Sequence, residues 1–185
     1  MNIRCFIAIP IGETIEKQIS DLIFSLKKHD ADIKWIKPDG MHITIKFLGK
    51  TQDRMIPKIK DALVHAASLF DPFFITIQGI GAFPHVNRPR IFWVGIKNMD
   101  SLEKLHTEIE DRMSRIGYVT EERSFHPHIT LGRVRSQRGV RTITRMLDLA
   151  RDTEFGDAYI DKLELMKSDL KPAGAVYTCL HAISL

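Results

Sequence analysis

The sequence is poor in cysteine, with only Cys5 and Cys179 among its 185 residues. Both lie in apolar, strand-like runs near opposite ends of the chain. Two buried, reduced thiols in a cytosol are therefore expected rather than a disulfide. No pair of cysteines has the spacing of a zinc site, so a zinc-stabilised or disulfide-stabilised scaffold is not predicted.

Long apolar runs and biased tracts are also missing. No segment approaches the ~20 apolar residues that cross a membrane. The short apolar run after Arg4 is broken at Pro10, which makes it too short for a signal peptide. No low-complexity tract indicates a disordered tail. These absences predict a soluble, cytoplasmic protein that folds as one domain, or as two small lobes sharing a core.

One tetrapeptide pattern, His-x-Thr-x, occurs twice, at His42-Ile43-Thr44-Ile45 and at His128-Ile129-Thr130-Leu131. Each copy lies in an apolar alternation that predicts a strand, over 41–48 and 127–134. Side chains two residues apart on a strand share a face. Each copy therefore presents one imidazole and one hydroxyl above an apolar back, and Phe47 is expected to turn towards that back.

Two such strands facing one cleft would supply the groups that cleave a phosphodiester. The ordinary histidine pKa, near ~6.5, allows one imidazole to act as base while another acts as acid at the same pH. Thr44 and Thr130 can donate to the phosphate oxygens. His126 and His128 look superficially like a metal-binding pair, but the motif contains no carboxylate, so a metal-independent mechanism is favoured.

The remaining chain alternates between strand and helix patterns. Helices are predicted over 12–28, 52–69, 100–115 and 139–149. Strands are predicted over 3–9, 33–36, 73–80, 91–96, 159–166 and 175–183, with a turn at 172–174. This order indicates an α+β fold with mostly antiparallel sheets and helices packed outside.

The doubled motif, with Phe47-Leu48-Gly49 after the first copy and Phe125-His126-Pro127 before the second, resembles the 2H phosphoesterase superfamily. It looks most like the RNA 2′,3′-cyclic phosphodiesterase branch, also called 2′-5′ RNA ligases. The resemblance also covers residues 4–9, 34–36, 81–84 and 89–93. It implies a single bilobal domain over 1–185, with two mostly antiparallel sheets and outer helices in pseudo-twofold symmetry around a central cleft.

The resemblance also implies an activity. The family hydrolyses RNA 2′,3′-cyclic phosphate ends to 2′-phosphomonoesters without metal or cofactor, and joins RNA ends through a 2′-5′ linkage in the reverse reaction. It suggests His42 as proton donor and His128 as proton acceptor. RNA ends, tRNA-like fragments included, are the implied partners of a monomer that needs no membrane or obligate protein partner.

Several roles stay open at this point. Lys46 shares a face with His42 by strict alternation, where it either reaches the phosphate or is solvated. Arg133 reaches the phosphate only if its strand bulges. Arg135 and Arg138 either bind the RNA backbone or lie on a solvated basic face. Cations closer to His128 than Lys46 is to His42 would give His128 the lower pKa.

Two other functions also stay open. One is a non-catalytic RNA- or nucleotide-binding module that retains the cleft. The other is a 2H phosphodiesterase that acts on a different cyclic or 2′-5′-linked nucleotide, because its catalytic pairs would be the same.

Overall fold

The computed structural model describes residues 2–171 and 174–185. In these residues the α-helices are α1 (Glu13–Leu26), α2 (Ile56–Ala67), α3 (Asp100–Arg115) and α4 (Val140–Leu149). The strands are β1 (Asn2–Ile9), β2 (Ile33–Trp35), β3 (Ile43–Gln52), β4 (Phe73–Phe83), β5 (Ile91–Lys97), β6 (Ile129–Val134), β7 (Glu154–Ile160), β8 (Lys162–Lys171) and β9 (Gly174–Ser184).

The strands form a sheet in the order β7-β4-β5-β6-β3-β1-β8-β9, with β2 paired to β6 and every pairing antiparallel. The motif strands β3 and β6 are neighbours at the centre of this order. One half of the sheet consists of β7, β4, β5 and β6, and the other half consists of β3, β1, β8 and β9. This confirms the α+β class and the paired arrangement of the halves. The halves are one continuous sheet rather than two, because Ile43 pairs with Ile129.

Most elements follow the sequence patterns. Helix α3 matches the predicted span 100–115, and the other helices start or end within a few residues of their predictions. The sequence patterns do not predict β7 as a separate strand. The predicted strand over 159–166 covers the end of β7 and the start of β8. Gly156 and Asp157 belong to types that are depleted in strands, which hides β7. Residues 172 and 173 of the predicted turn lie outside the described residues.

A β-bulge falls on the last residue of the motif in both central strands. Strand β1 pairs Ala8 with Thr44 and Ile7 with Lys46, so Ile45 is an extra residue in β3. A bulge interrupts the alternation of faces, so the residues after it point opposite to where a regular strand would send them. Lys46 therefore turns to the buried side of β3.

The bulge in β6 is equivalent. Strand β5 pairs Trp93 with Thr130 and Phe92 with Gly132, so Leu131 is the extra residue. Arg133 therefore turns to the face that carries His128. The two motif strands have the same irregularity at the same distance from their histidines.

The cysteines differ in environment. Both thiols are free, but Cys5 is buried in β1 whereas Cys179 is exposed on β9. The expectation that both would be buried is wrong for Cys179, because β9 is the last strand of the sheet and packs against a neighbour on one edge only. None of the helices in the described part of the chain is both long and apolar enough to cross a membrane.

Candidate active site

The two motifs meet in one cleft. His42, Thr44, His128 and Thr130 all line a cavity of about 710 Å³. The pairing of Ile43 with Ile129 joins the strands between the histidine and the threonine of each motif. Since the strands are antiparallel, each histidine lies on the side of the other motif's threonine. The structure thus brings together the four residues that the repeated motif singled out.

Backbone carbonyls orient both imidazoles. His128 Nδ1 donates a hydrogen bond to the carbonyl of His126, at 2.8 Å. The His42 ring donates a hydrogen bond to the carbonyl of Gly40, which also lies two residues before its histidine. A carbonyl can only accept, so the bonded nitrogen carries a proton and the other ring nitrogen is left for proton transfer.

Aromatic rings surround both imidazoles. The His42 ring lies 4.9 Å from that of Phe6 and meets Tyr177 edge-on at 5.2 Å. The His128 ring meets Phe83 edge-on at 5.1 Å. These contacts hold each ring in place and keep water away from it, so the neutral form of each imidazole is favoured.

Burial accordingly lowers both pKa values. Burial is the main cause that lowers the pKa of His42 to about 4. The hydrogen bond to Gly40 raises this pKa, and the charge of His128 lowers it further. Burial also lowers the pKa of His128, with a smaller contribution from Arg133 in the same direction. The expectation that nearby cations decide which imidazole has the lower pKa is therefore wrong. Burial, which the sequence does not reveal, is the largest cause at both.

Arg133 and Phe47 occupy equivalent places, each five residues after its motif histidine. Both line the cleft because of the bulges. The sequence places Arg133 near the phosphate only if its strand bulges, and β6 does contain a bulge. The prediction that Phe47 packs in the core is wrong, since its side chain is 63% exposed. The cleft thus has a cation on the side of His128 and an aromatic ring on the side of His42.

Lys46 does not reach the cleft, so both roles considered for it are wrong. It is 1% exposed, and its Nζ donates to both carboxylate oxygens of Glu110 at 2.7 Å. A third bond goes to the carbonyl of Val119, at 2.9 Å. Glu110 Oε2 in turn accepts the backbone N–H of Glu121. The pair therefore connects β3 and α3 to the segment that leads into the second motif.

Arg135 and Arg138 lie outside the cleft lining. Both side chains are exposed, and both residues come after the end of β6 at Val134. Arg138 instead pairs with the carboxylate of Asp30, with its Nη1 2.7 Å from Oδ2. Neither arginine is placed to contact the reacting phosphate, and their binding to the RNA backbone stays a prediction.

Sequence reasoning missed two cleft-lining arginines, Arg4 and Arg123. Arg4 shares a face with Phe6 and Ala8 along β1, but the apolar character of the run obscures this signal. Arg123 lies in the polar connection between α3 and β6, where no pattern distinguishes it. Within the described ranges, no group of three or more His, Cys, Asp or Glu side chains is placed to hold a metal ion.

The buried imidazole of His42 predicts that acid destabilises the fold. Its pKa falls from 6.5 in the unfolded chain to about 4 in the folded one. The unfolded chain therefore binds more protons between these values, and stability falls as pH falls from 6.5 to 4. We expect His42→Gln to remove up to about 3 kcal/mol of this loss.

The measurement is urea unfolding of wild type and His42→Gln at several pH values. His29→Gln, which changes an exposed histidine, is the matched control and should keep the wild-type slope. Equal pH slopes for wild type and His42→Gln would show that His42 is not held neutral by burial.

The chain is similar to proteins of one known family. Residues 16–172 match the model of the 2′-5′ RNA ligase superfamily. The chain is 34% identical over 180 residues to a Thermotoga maritima protein named RNA 2′,3′-cyclic phosphodiesterase, covering 96% of this chain and 93% of the relative. A Methanothermobacter thermautotrophicus protein of the same name is 28% identical over 185 residues, covering 100% of both chains.

Solved structures show the same fold. A Thermus thermophilus protein superposes with a TM-score of 0.85 at 24% identity, covering 99% of this chain and 98% of that one. Escherichia coli LigT, complexed with 3′-AMP, superposes with a TM-score of 0.76 at 24% identity, covering 100% and 99%. The chain has the two-histidine cleft and the fold of the 2H phosphoesterases, and it belongs to the 2′-5′ RNA ligase superfamily.

Proposed function

We propose that this protein is an enzyme that hydrolyses RNA 2′,3′-cyclic phosphate ends to 2′-phosphomonoesters by acid–base catalysis from two histidines. The observation that carries the proposal is the pair of imidazoles in one cleft, each oriented by a backbone carbonyl and each accompanied by a threonine. Relatives that share most of the chain are named for this reaction. A single bilobal domain over residues 1–185, acting as a monomer without metal or cofactor, is part of the proposal.

The reaction uses the groups in the cleft as follows. His128 accepts a proton from water as the water oxygen attacks phosphorus. His42 donates a proton to the 3′ oxygen as the bond between that oxygen and phosphorus breaks. The products are a 2′-phosphate and a 3′-hydroxyl. Thr44 and Thr130 donate hydrogen bonds to the phosphate oxygens, and Arg133 balances the developing negative charge.

The proposed acid, His42, must be charged although burial lowers its pKa to about 4. The substrate itself resolves this requirement. A bound phosphate is an anion, and an opposite charge nearby favours the protonated imidazole. Substrate binding therefore promotes protonation of His42, and its proton is held where the leaving oxygen needs it.

Joining of RNA ends uses the same groups, with a different nucleophile. A 5′-hydroxyl of a second RNA end replaces water and attacks the cyclic phosphate, which forms a 2′-5′ linkage. Phe47, with its exposed ring 6.2 Å from that of Phe6, offers an apolar face on which a nucleobase can stack.

The direct test is turnover of a nucleoside 2′,3′-cyclic phosphate in EDTA. We expect a 2′-monophosphate as the product, identified by chromatography against 2′- and 3′-standards, at a rate that EDTA does not change. Loss of turnover in EDTA with rescue by a divalent ion would contradict the two-histidine mechanism. Binding of the nucleotide without turnover would instead indicate the non-catalytic module.

A substrate panel separates the remaining alternative. Alongside the RNA end it contains ADP-ribose 1″,2″-cyclic phosphate and a 2′-5′ oligoadenylate. Preference for either of these by kcat/KM would assign the same site to a different nucleotide.

Removing either threonine hydroxyl should slow the reaction. Thr44→Val and Thr130→Val each delete one donor to the phosphate oxygens and keep the shape of the side chain. We expect a loss of transition-state stabilisation of about 1 to 4 kcal/mol for each variant, measured as kcat/KM on the cyclic phosphate. Thr107→Val, on the exposed face of α3, is the control. Unchanged kinetics in both cleft variants would show that the hydroxyls do not contact the phosphate.

A further inference from the structure

Arg4 lies in the cleft but at a distance from the reacting groups. Along β1 it shares a face with Phe6, whose ring packs on His42. Two residues along a strand span about 7 Å. The register places Phe6 opposite Phe47 and Arg4 opposite Lys50, so Arg4 is farther from the motif than Phe6. The exposed guanidinium of Arg4 therefore lines the cleft beyond the ring that covers His42.

Arg4 and Lys50 are directly opposite on antiparallel strands, and both are exposed. Like charges directly opposite each other on a sheet repel and destabilise it. In the described part of the chain, no carboxylate forms an ion pair with either side chain, whereas nearby Lys167 pairs with Asp169 at 2.9 Å. The two strands thus hold two uncompensated positive charges side by side.

The surroundings of Arg4 leave room for a ligand. A Cβ built on Gly49, next to Lys50, would meet no atom within 4 Å. Ser168, on β8, also lines the cleft, and the pairing of Cys5 with Lys167 places it beside Arg4 on the neighbouring strand. Its hydroxyl can donate a hydrogen bond to an anion. Two cations, a hydroxyl and open space together fit a phosphate group.

We propose that Arg4, supported by Lys50, binds the internucleotide phosphate next to the reacting end of an RNA chain. The inference rests on the proposed function and specifies its substrate. A mononucleotide cyclic phosphate has one phosphate, which the histidines and threonines occupy, so it leaves Arg4 without a partner. An oligonucleotide has a second phosphate for this place. The protein therefore acts on the ends of oligonucleotides in preference to mononucleotides.

The test compares adenosine 2′,3′-cyclic phosphate with a short oligoadenylate that ends in the same cyclic phosphate. The variants are Arg4→Ala, Arg4→Lys and Lys50→Ala, and Arg115→Ala is the matched control, since it removes an exposed arginine on α3, outside the cleft. We expect Arg4→Ala to lower kcat/KM on the oligonucleotide by roughly tenfold or more, mainly through KM. Turnover of the mononucleotide should fall far less, because it has no internucleotide phosphate. Arg4→Lys keeps the positive charge and should lose less kcat/KM on the oligonucleotide than Arg4→Ala.

Salt dependence provides a second measurement. The slope of log kcat/KM on the oligonucleotide against log salt should become shallower by about 1 in Arg4→Ala, as for one lost phosphate contact. The melting temperature of Arg4→Ala should equal or exceed that of wild type, because a like-charge pair is removed.

The outcomes separate this inference from the proposed function. Three results would overturn the role of Arg4 alone. They are equal losses on both substrates, no loss on either substrate, and a wild-type protein that does not prefer the oligonucleotide. A wild-type protein that turns over neither substrate would overturn the proposed function, and the inference with it.

Discussion

Replacing either His42 or His128 by alanine is expected to lower turnover by on the order of 10² to 10⁴, the usual contribution of a positioned acid or base. Each imidazole lines the cleft and makes a hydrogen bond to a backbone carbonyl. Alanine removes the proton-transfer group and leaves the strand pairing intact. Turnover of the cyclic phosphate measures the effect, and His85→Ala, which removes an exposed histidine, should leave it unchanged.

The double variant tests whether the histidines act as a unit. If they do, it loses less than the product of the single losses. A substrate whose leaving group needs no proton then distinguishes their roles. His42→Ala should be largely rescued on this substrate, and His128→Ala should not. The opposite pattern would exchange acid and base, while near wild-type turnover of a folded single variant would remove that histidine from the mechanism.

Deleting the carboxylate of Glu110 is expected to cause a large loss of stability, although this group lies outside the cleft lining. Glu110→Ala leaves the buried ammonium of Lys46 without its charged partner. Removing one member of a buried pair costs about 3 to 5 kcal/mol, because the remaining charge is uncompensated. Urea unfolding measures the loss. Asp111→Ala, which breaks the exposed pair with Arg115 on the same helix, should cost about 1 kcal/mol or less.

A second variant separates charge from packing. Replacing both members together, as Lys46→Met with Glu110→Leu, removes the unpaired charge and keeps apolar volume. It should recover most of the stability that Glu110→Ala loses. A double variant as unstable as the single one would show that shape, not charge, accounts for the loss.

The sequence predicted the α+β class and the shared faces of the four motif residues, because both depend on local patterns. Alternation over a few residues determines that a histidine and a threonine two residues apart share a face, and helical spacing predicted α3 over the right residues. Alternation fails beyond a bulge, since the extra residue depends on how neighbouring strands pair. This is why Lys46 and Phe47 were assigned to the wrong faces and why Arg133 could not be placed.

The surroundings of the His42 and Lys46 side chains could not be predicted from the sequence, for a different reason. The pKa of His42 depends on the rings of Phe6 and Tyr177, which come from β1 and β9 at opposite ends of the chain. Lys46 likewise finds its carboxylate on α3, far along the sequence. Such contacts follow from the tertiary structure, and no pattern near the motif indicates them.

The equivalent positions of Phe47 and Arg133 give the cleft a direction. A cleft with exact twofold symmetry would accept a cyclic phosphate in two opposed orientations, and each histidine would serve as acid in one orientation and as base in the other. An aromatic ring on one side and a guanidinium on the other make these orientations unequal in energy. Under the proposed function, the base of the terminal nucleotide would stack on the ring, and the negative charge that develops on the phosphate oxygens would lie near the cation. The duplicated motif would then form a polar site in which the orientation of the ligand gives each imidazole a single role.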